Sequence, residues 1–141
     1  MFPIILQAAE NFCIHQIREP YTISDETHKK RTLIAYIDIE TANGSKYRVY
    51  VACENAFVQK IAQIFLEEDA SDEETLKDMV LETLNLIVGS AKVLAKETEA
   101  EFTISTPHFV AIAPFEAEHE QASMFTVGSN TMILAIKEID G

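Results

Sequence analysis

Glu82 and Asn85 stand three residues apart in SDEETLKDMVLETLNLIVGSAKVLAKE, the stretch from Ser71 to Glu97. On a helix such an i, i+3 pair projects from one face. A carboxylate and a neutral amide are weak tools for most covalent chemistry. They suit the hydrolysis of a reactive phosphoryl group, where aligning water and neutralising charge matter more than a strong base. An Asn amide both donates and accepts, so it can hold a water in line. A Glu can pair with a cation on a partner and fix the docking register. Such a helix would complete a site on another protein, which would itself supply the metal and the phosphorylated residue.

The stretch that carries the pair has a clean helical period. At about 100° per residue, Leu76, Met79, Val80, Thr83, Leu84, Ile87, Val88, Ala91, Leu94 and Ala95 fall on one broad face, the pattern of a core-facing helix. Asp78, Glu82, Asn85, Gly89, Lys92 and Lys96 fall opposite, and Leu81, Leu86 and Val93 flank them. Asn is a weak helix former, and Gly costs about 1 kcal/mol against Ala in a helix interior. Two poor formers one turn apart describe either a tolerated surface or a shallow concave patch where something docks, with Gly89 giving its backbone clearance. The spacing leaves both open.

The rest of the chain offers no rival chemistry. There is no glycine-rich phosphate loop, no Ser or Cys in a nucleophile motif and no zinc-binding histidine pair. Cys13 and Cys53 sit in apolar surroundings and read as buried fillers in a reducing compartment, the cytosol. The chain is 141 residues long and 48% hydrophobic, which suits one domain, 1–141, with its own core. Its apolar runs are too short for a membrane helix. The apolar start, MFPIILQAAENF, lacks a basic opening and reads as part of the fold rather than a signal peptide. Net charge is −12, and residues 67–141 supply all of it. That field opposes nucleic-acid binding and suits a partner with a basic patch.

The elements around the pair follow from period and turn chemistry. Pro3 to about His15 reads as a helix, with Ile4, Ile5, Ala8, Ala9 and Phe12 at helical spacing. Ile17 to Ile23, broken by Pro20, reads as a short extended piece. Arg31–Glu40 and Ser45–Ala52 read as strands joined at Asn43-Gly44. Glu54–Glu67 is a second amphipathic helix with Phe57, Ile61, Ile64 and Phe65 facing inward. Ser71 reads as the N-cap of the central helix, with Glu74 completing a capping box. Strands follow at Glu101–Ser105, Phe109–Ala113, Ala122–Val127 and Thr131–Glu138, with a charged loop at Glu116–Gln121. The class is α+β, an antiparallel sheet packed with helices. Both halves share one grammar, a helix followed by paired strands, which hints at a duplication.

At this point the residues reach a family. Glu82-Thr83-Leu84-Asn85-Leu86-Ile87-Val88-Gly89 resembles the E-x-x-N-x-x-x-G signature of the CheC/CheX/FliY chemotaxis phosphatases, most of all the CheX branch. The Ile37–Val51 hairpin, the Phe57–Leu66 helix and Phe102-Thr103-Ile104-Ser105-Thr106-Pro107 resemble the flanking elements. The resemblance implies a CheC-like fold with pseudo-duplicated helix-plus-hairpin halves. It implies a phosphatase acting on the phospho-aspartate of a CheY-type response regulator. Glu82 would contact the regulator's active-site lysine, and Asn85 would position the attacking water. Asp78, Leu81, Leu86, Gly89 and Val93 would line the docking surface. The chain would hold no metal of its own, Mg²⁺ belonging to the regulator, and it would pair as a homodimer through its sheet. On the first helix, Cys13 stands where a second active helix would need Asn after Glu10. Two other readings remain: an adaptor that binds the regulator without catalysis, and a structural domain whose polar strip merely faces solvent.

Overall fold

The alternating start of Lys46–Cys53 (β3) and the Asn43-Gly44 turn close a long hairpin against Arg31–Thr41 (β2). Gly44 sits at φ +90° there, a conformation open to glycine. This is a computed structural model, and it describes residues 1–139. A second hairpin joins Gln121–Val127 (β6) to Asn130–Ile139 (β7). The two hairpins meet along β3 and β7, and the seven-stranded sheet runs β1-β6-β7-β3-β2-β4, with β5 also on β2. Here β1 is Tyr21–Ser24, β4 is Phe102–Ile104 and β5 is His108–Pro114, and every pairing is antiparallel.

The halves are related by an exchange of strands. Helix α1 (Phe2–Phe12) leads into β1, which pairs not with its own hairpin but with β6. Helix α3 (Glu73–Ala95) leads into β4, which pairs with β2 of the first half. Helix α2 (Asn55–Leu66) lies between the halves in sequence. The class is α+β, and the expected pairing of helix-plus-hairpin halves is present, with the first strand of each half crossed over.

One face of the sheet buries the helices. Leu33, Ala35, Ile37, Val49, Val51, Phe125, Met132 and Leu134 join Ile5, Phe57, Ile61, Leu84 and Ile87 in one core. On α3, Leu76, Val80, Thr83, Leu84, Ile87, Val88, Ala91 and Ala95 are buried. Truncating one of the large ones, such as Leu84→Ala, costs about 2–5 kcal/mol. Thr83 is accommodated because its hydroxyl donates to the Met79 carbonyl at 2.7 Å. The opposite sheet face has its own small cluster of Ile34, Ala52, Ile133 and Ala135, covered by Phe115 at the start of the loop expected to be merely charged.

Several sequence expectations shift. The central helix is capped by Asp72, whose carboxylate accepts from the Thr75 N–H at 2.8 Å, and not by a Ser71–Glu74 box. Ser71 is held instead by Gln59 of α2, whose side-chain carbonyl accepts the Ser71 N–H at 2.9 Å. The bond from the Thr75 N–H also keeps the Asp72 carboxyl below its ordinary range. Ile64 and Leu94, assigned to buried faces, are exposed, because the true buried arcs are narrower than the apolar arcs. Ile17 belongs not to an extended piece but to a π-helical turn, Cys13–Ile17, that prolongs α1 and ends where Arg18 turns left-handed at φ 60°.

Candidate functional site

Helix α3 runs 23 residues across the sheet's helical face, so its polar strip can only point outward. Glu82 and Asn85 are both exposed on that strip, with Asp78, and Gly89 is half-exposed beside them. Glu82 is in no ion pair among the described residues. The acids of the first turn differ, since Glu73 and Glu74 share Lys77 at 3.7 and 3.4 Å. Lys77 also lies 5.3 Å over the Phe109 ring and ties the start of the helix to β5.

The expected apolar border divides. Leu81 is half-buried and packs against the core. Leu86 is 39% exposed and Val93 73% exposed, on the other flank. Val93 lies about two turns beyond Asn85, so it borders the end of the strip.

The concave patch, one of the two readings of the strip, is not among the hollows described on the surface. None of the five hollows described on the surface is lined by Glu82 or Asn85. The two largest, of about 490 and 520 Å³, lie by the β2–β3 hairpin and the β4 edge, away from the pair. Small-molecule sites are concave and bury most of their ligand. An exposed polar pair on the outer face of a helix has the shape of an insert for another protein's cleft.

Gly89 sharpens the contrast. A methyl group built on its Cα would meet no atom within 4 Å. Nothing inside the molecule requires glycine there.

On α1 the equivalent positions are spent. Cys13 is fully buried, and burial pushes its thiol up to about 12. Glu10 accepts the Tyr21 hydroxyl at 3.1 Å. Among the described residues no group of three or more His, Cys, Asp and Glu is placed to hold a metal ion. Among the described residues no helix is long and apolar enough to cross a membrane.

With this geometry established, relatives can be compared. The family described as chemotaxis phosphatase CheX matches residues 35–128, well over half the chain. The chain belongs to the CheX family. The matched span contains the whole of α3, and so Glu82, Asn85 and Gly89.

Solved structures agree on the fold. A chemotactic CheC-like protein from Shewanella oneidensis MR-1 superposes with a TM-score of 0.81 at 21% identity, covering 97% of this chain and 96% of that one. CheX from Vibrio vulnificus gives 0.78 at 18% identity, over 96% and 97%. A CheX in complex with CheY, BeF₃ and Mg²⁺ from Borrelia burgdorferi gives 0.73 at 15% identity, over 99% and 97%. At such identities these likenesses speak for the CheX fold alone. No curated protein matches the chain.

The sequence reading of the site overlooked the neighbour of α3. Asn11, His15 and Gln16 of the first helix and its π turn share a hollow with Leu86 and Ser90. The apolar period of α1 could not reveal this, because a π turn shifts the faces after it.

Proposed function

We propose that the protein accelerates hydrolysis of the phospho-aspartate of a CheY-type response regulator. Water attacks phosphorus, the bond from phosphorus to the aspartate oxygen breaks, and the products are inorganic phosphate and the free carboxylate. Asn85 aligns that water through its amide. Glu82 pairs with the ammonium of the regulator's active-site lysine and sets the register. Asp78, Leu81, Leu86, Gly89 and Val93 form the surface on which the regulator rests. The Mg²⁺ that neutralises the phosphoryl charge belongs to the regulator. The setting is the cytoplasm.

The observation that carries this reading is an unengaged Glu and an exposed Asn on the convex face of a helix, in a chain of a phosphatase family. A convex pair needs a cleft from a partner, and phosphoryl hydrolysis needs what these two groups supply. The CheY-bound structure of a CheX relative supports a regulator of that class as the partner. A second copy fits the free edge of the sheet, where β4 and β5 both lie outside β2 and Val110 is 50% exposed. Sedimentation would show a dimer if that edge pairs.

The deciding experiment mixes the protein with a phosphorylated CheY-type regulator and Mg²⁺ and measures phosphate release. Acceleration by the protein is expected. Binding without any shortening of the phospho-aspartate lifetime would mark an adaptor instead.

A further inference from the structure

The hollow between α1 and α3 adjoins the proposed docking strip. It is lined by Asn11, Phe12, His15 and Gln16 on one side and by Leu86 and Ser90 on the other. Leu86 lies one turn beyond Glu82 and Ser90 one turn beyond Leu86, so the hollow continues the Glu82 side of the strip. Its volume is about 240 Å³. Small-molecule sites run to roughly 300–1,000 Å³, so this space suits a side chain rather than a cofactor.

Its chemistry departs from its surroundings. In a chain of net charge −12, no carboxylate among the described residues lines it. Glu10, beside Asn11 in sequence, is turned away to the Tyr21 hydroxyl. Phe12 is buried behind the hollow, Leu86 is its exposed apolar wall, and the rim is two amides, an imidazole and a hydroxyl. The rim is also shaped by the backbone. Neighbouring residues on an α-helix point about 100° apart, yet His15 and Gln16 both line the same hollow. Both belong to the π turn closed by the Arg18 N–H on the Cys13 carbonyl at 2.8 Å. Such turns are rare and are often found at functional sites.

We propose that this hollow receives an apolar side chain of the docked response regulator, from the surface beside its phospho-aspartate, and so selects which regulator is accepted. His15, Gln16 and Ser90 bond polar groups next to that side chain. The inference rests on the phosphatase reading above. The occupant is the regulator and not a second copy of this chain, because Leu86 stands one turn beyond Glu82 on the same stripe of α3 and Ser90 one turn beyond Leu86, so the partner that pairs with Glu82 also meets the wall of the hollow. A second copy seated there would shut the regulator out.

The test compares the wild-type protein with Gln16→Glu, which puts a charge into the neutral hollow, and Ser90→Phe, which fills it. Each is titrated with a CheY-type regulator kept phosphorylated by acetyl phosphate and Mg²⁺, and phosphate release gives kcat and KM. Gln16 is exposed, so its variant folds, and a thermal melt verifies both. Both variants are expected to raise KM about tenfold, the size for spoiling one well-packed interface side chain, with kcat within about twofold of wild type. Wild-type KM in both variants overturns the hollow as a docking site and leaves the phosphatase reading intact. A fall in kcat at unchanged KM also overturns it, since the hollow would then serve the chemical step. No acceleration by the wild-type protein overturns the phosphatase reading, and this inference with it.

Discussion

Helices α1 and α3 open the two related halves of the molecule, and each leads into a strand that crosses to the other half. They differ in what they leave free. The acid of α1, Glu10, is bonded to Tyr21, and the position three residues on is a buried thiol. Glu82 of α3 is in no ion pair among the described residues, and three residues on lies an exposed amide, Asn85. What separates the two helices is exposure and unspent hydrogen-bonding capacity, not their placement on the sheet, and on the proposed function that is what fits α3 for chemistry.

The largest expected effect tests that contrast on α3. Asn85→Ala should slow the accelerated dephosphorylation by on the order of 10²-fold or more, as for other groups that position charge or water in a transition state, while the thermal melt stays put. Retention of full activity in the phosphate-release assay would falsify the role of Asn85. The converse substitution acts on α1. Cys13→Asn rebuilds the Glu-x-x-Asn spacing on the first helix, but at a fully buried position. It should add no activity and should destabilise the fold by about 1–3 kcal/mol, the cost of burying an unpaired amide. A gain in phosphate release would show that α1 is closer to a working site than its burial implies.

Gly89→Ala separates fold from function on one residue. The added methyl meets nothing in the free protein, so denaturant unfolding should show a gain of up to about 1 kcal/mol. The same change should weaken regulator binding in a titration, because the methyl intrudes on the docked partner. The smallest effect concerns the start of α3. The Asp72 carboxyl is held below its ordinary value by the Thr75 N–H it accepts, so the folded state binds that proton less readily than the unfolded chain. Its contribution is present above the unfolded value, about 3.9, and is lost as pH falls through the folded value. Asp72→Ala should lower the melting temperature slightly at neutral pH, and the gap to wild type should close on acidification below about pH 4.

Much of this was readable from the residues. The two hairpins announced themselves because alternation and a tight turn are local signals, and Asn43-Gly44 fixes the first register. The α3 strip was legible because Asn85 and Gly89 are choices that helix propensity does not explain. Asp72 was missed as the cap because Ser71 and Asp72 are both capping types, and Gln59, twelve residues upstream of Ser71, decides between them. The overlap of Ile64 and Leu94 with buried faces came from arcs drawn by composition rather than by neighbours. Phe115 gave no sign that it covers a second sheet face, since its loop is otherwise rich in acid. The α1 hollow was invisible because a π turn leaves no trace in hydrophobic period.

The crossing of first strands has a consequence for how the chain must assemble. Tyr21–Ser24 can be laid down only after residues 124–127 have been made, and Phe102–Ile104 closes back on Ile39–Thr41. Neither half owns the strand that completes its hairpin. Cleavage in the 67–72 segment should therefore give two fragments that stay unstructured apart, by near-ultraviolet circular dichroism, and recover the native spectrum only when mixed. Pairings of such sequence distance also slow the search for the native state. A fragment that folded by itself would mean that its hairpin is stable without the borrowed edge, and that the two halves are partners by convenience rather than by necessity.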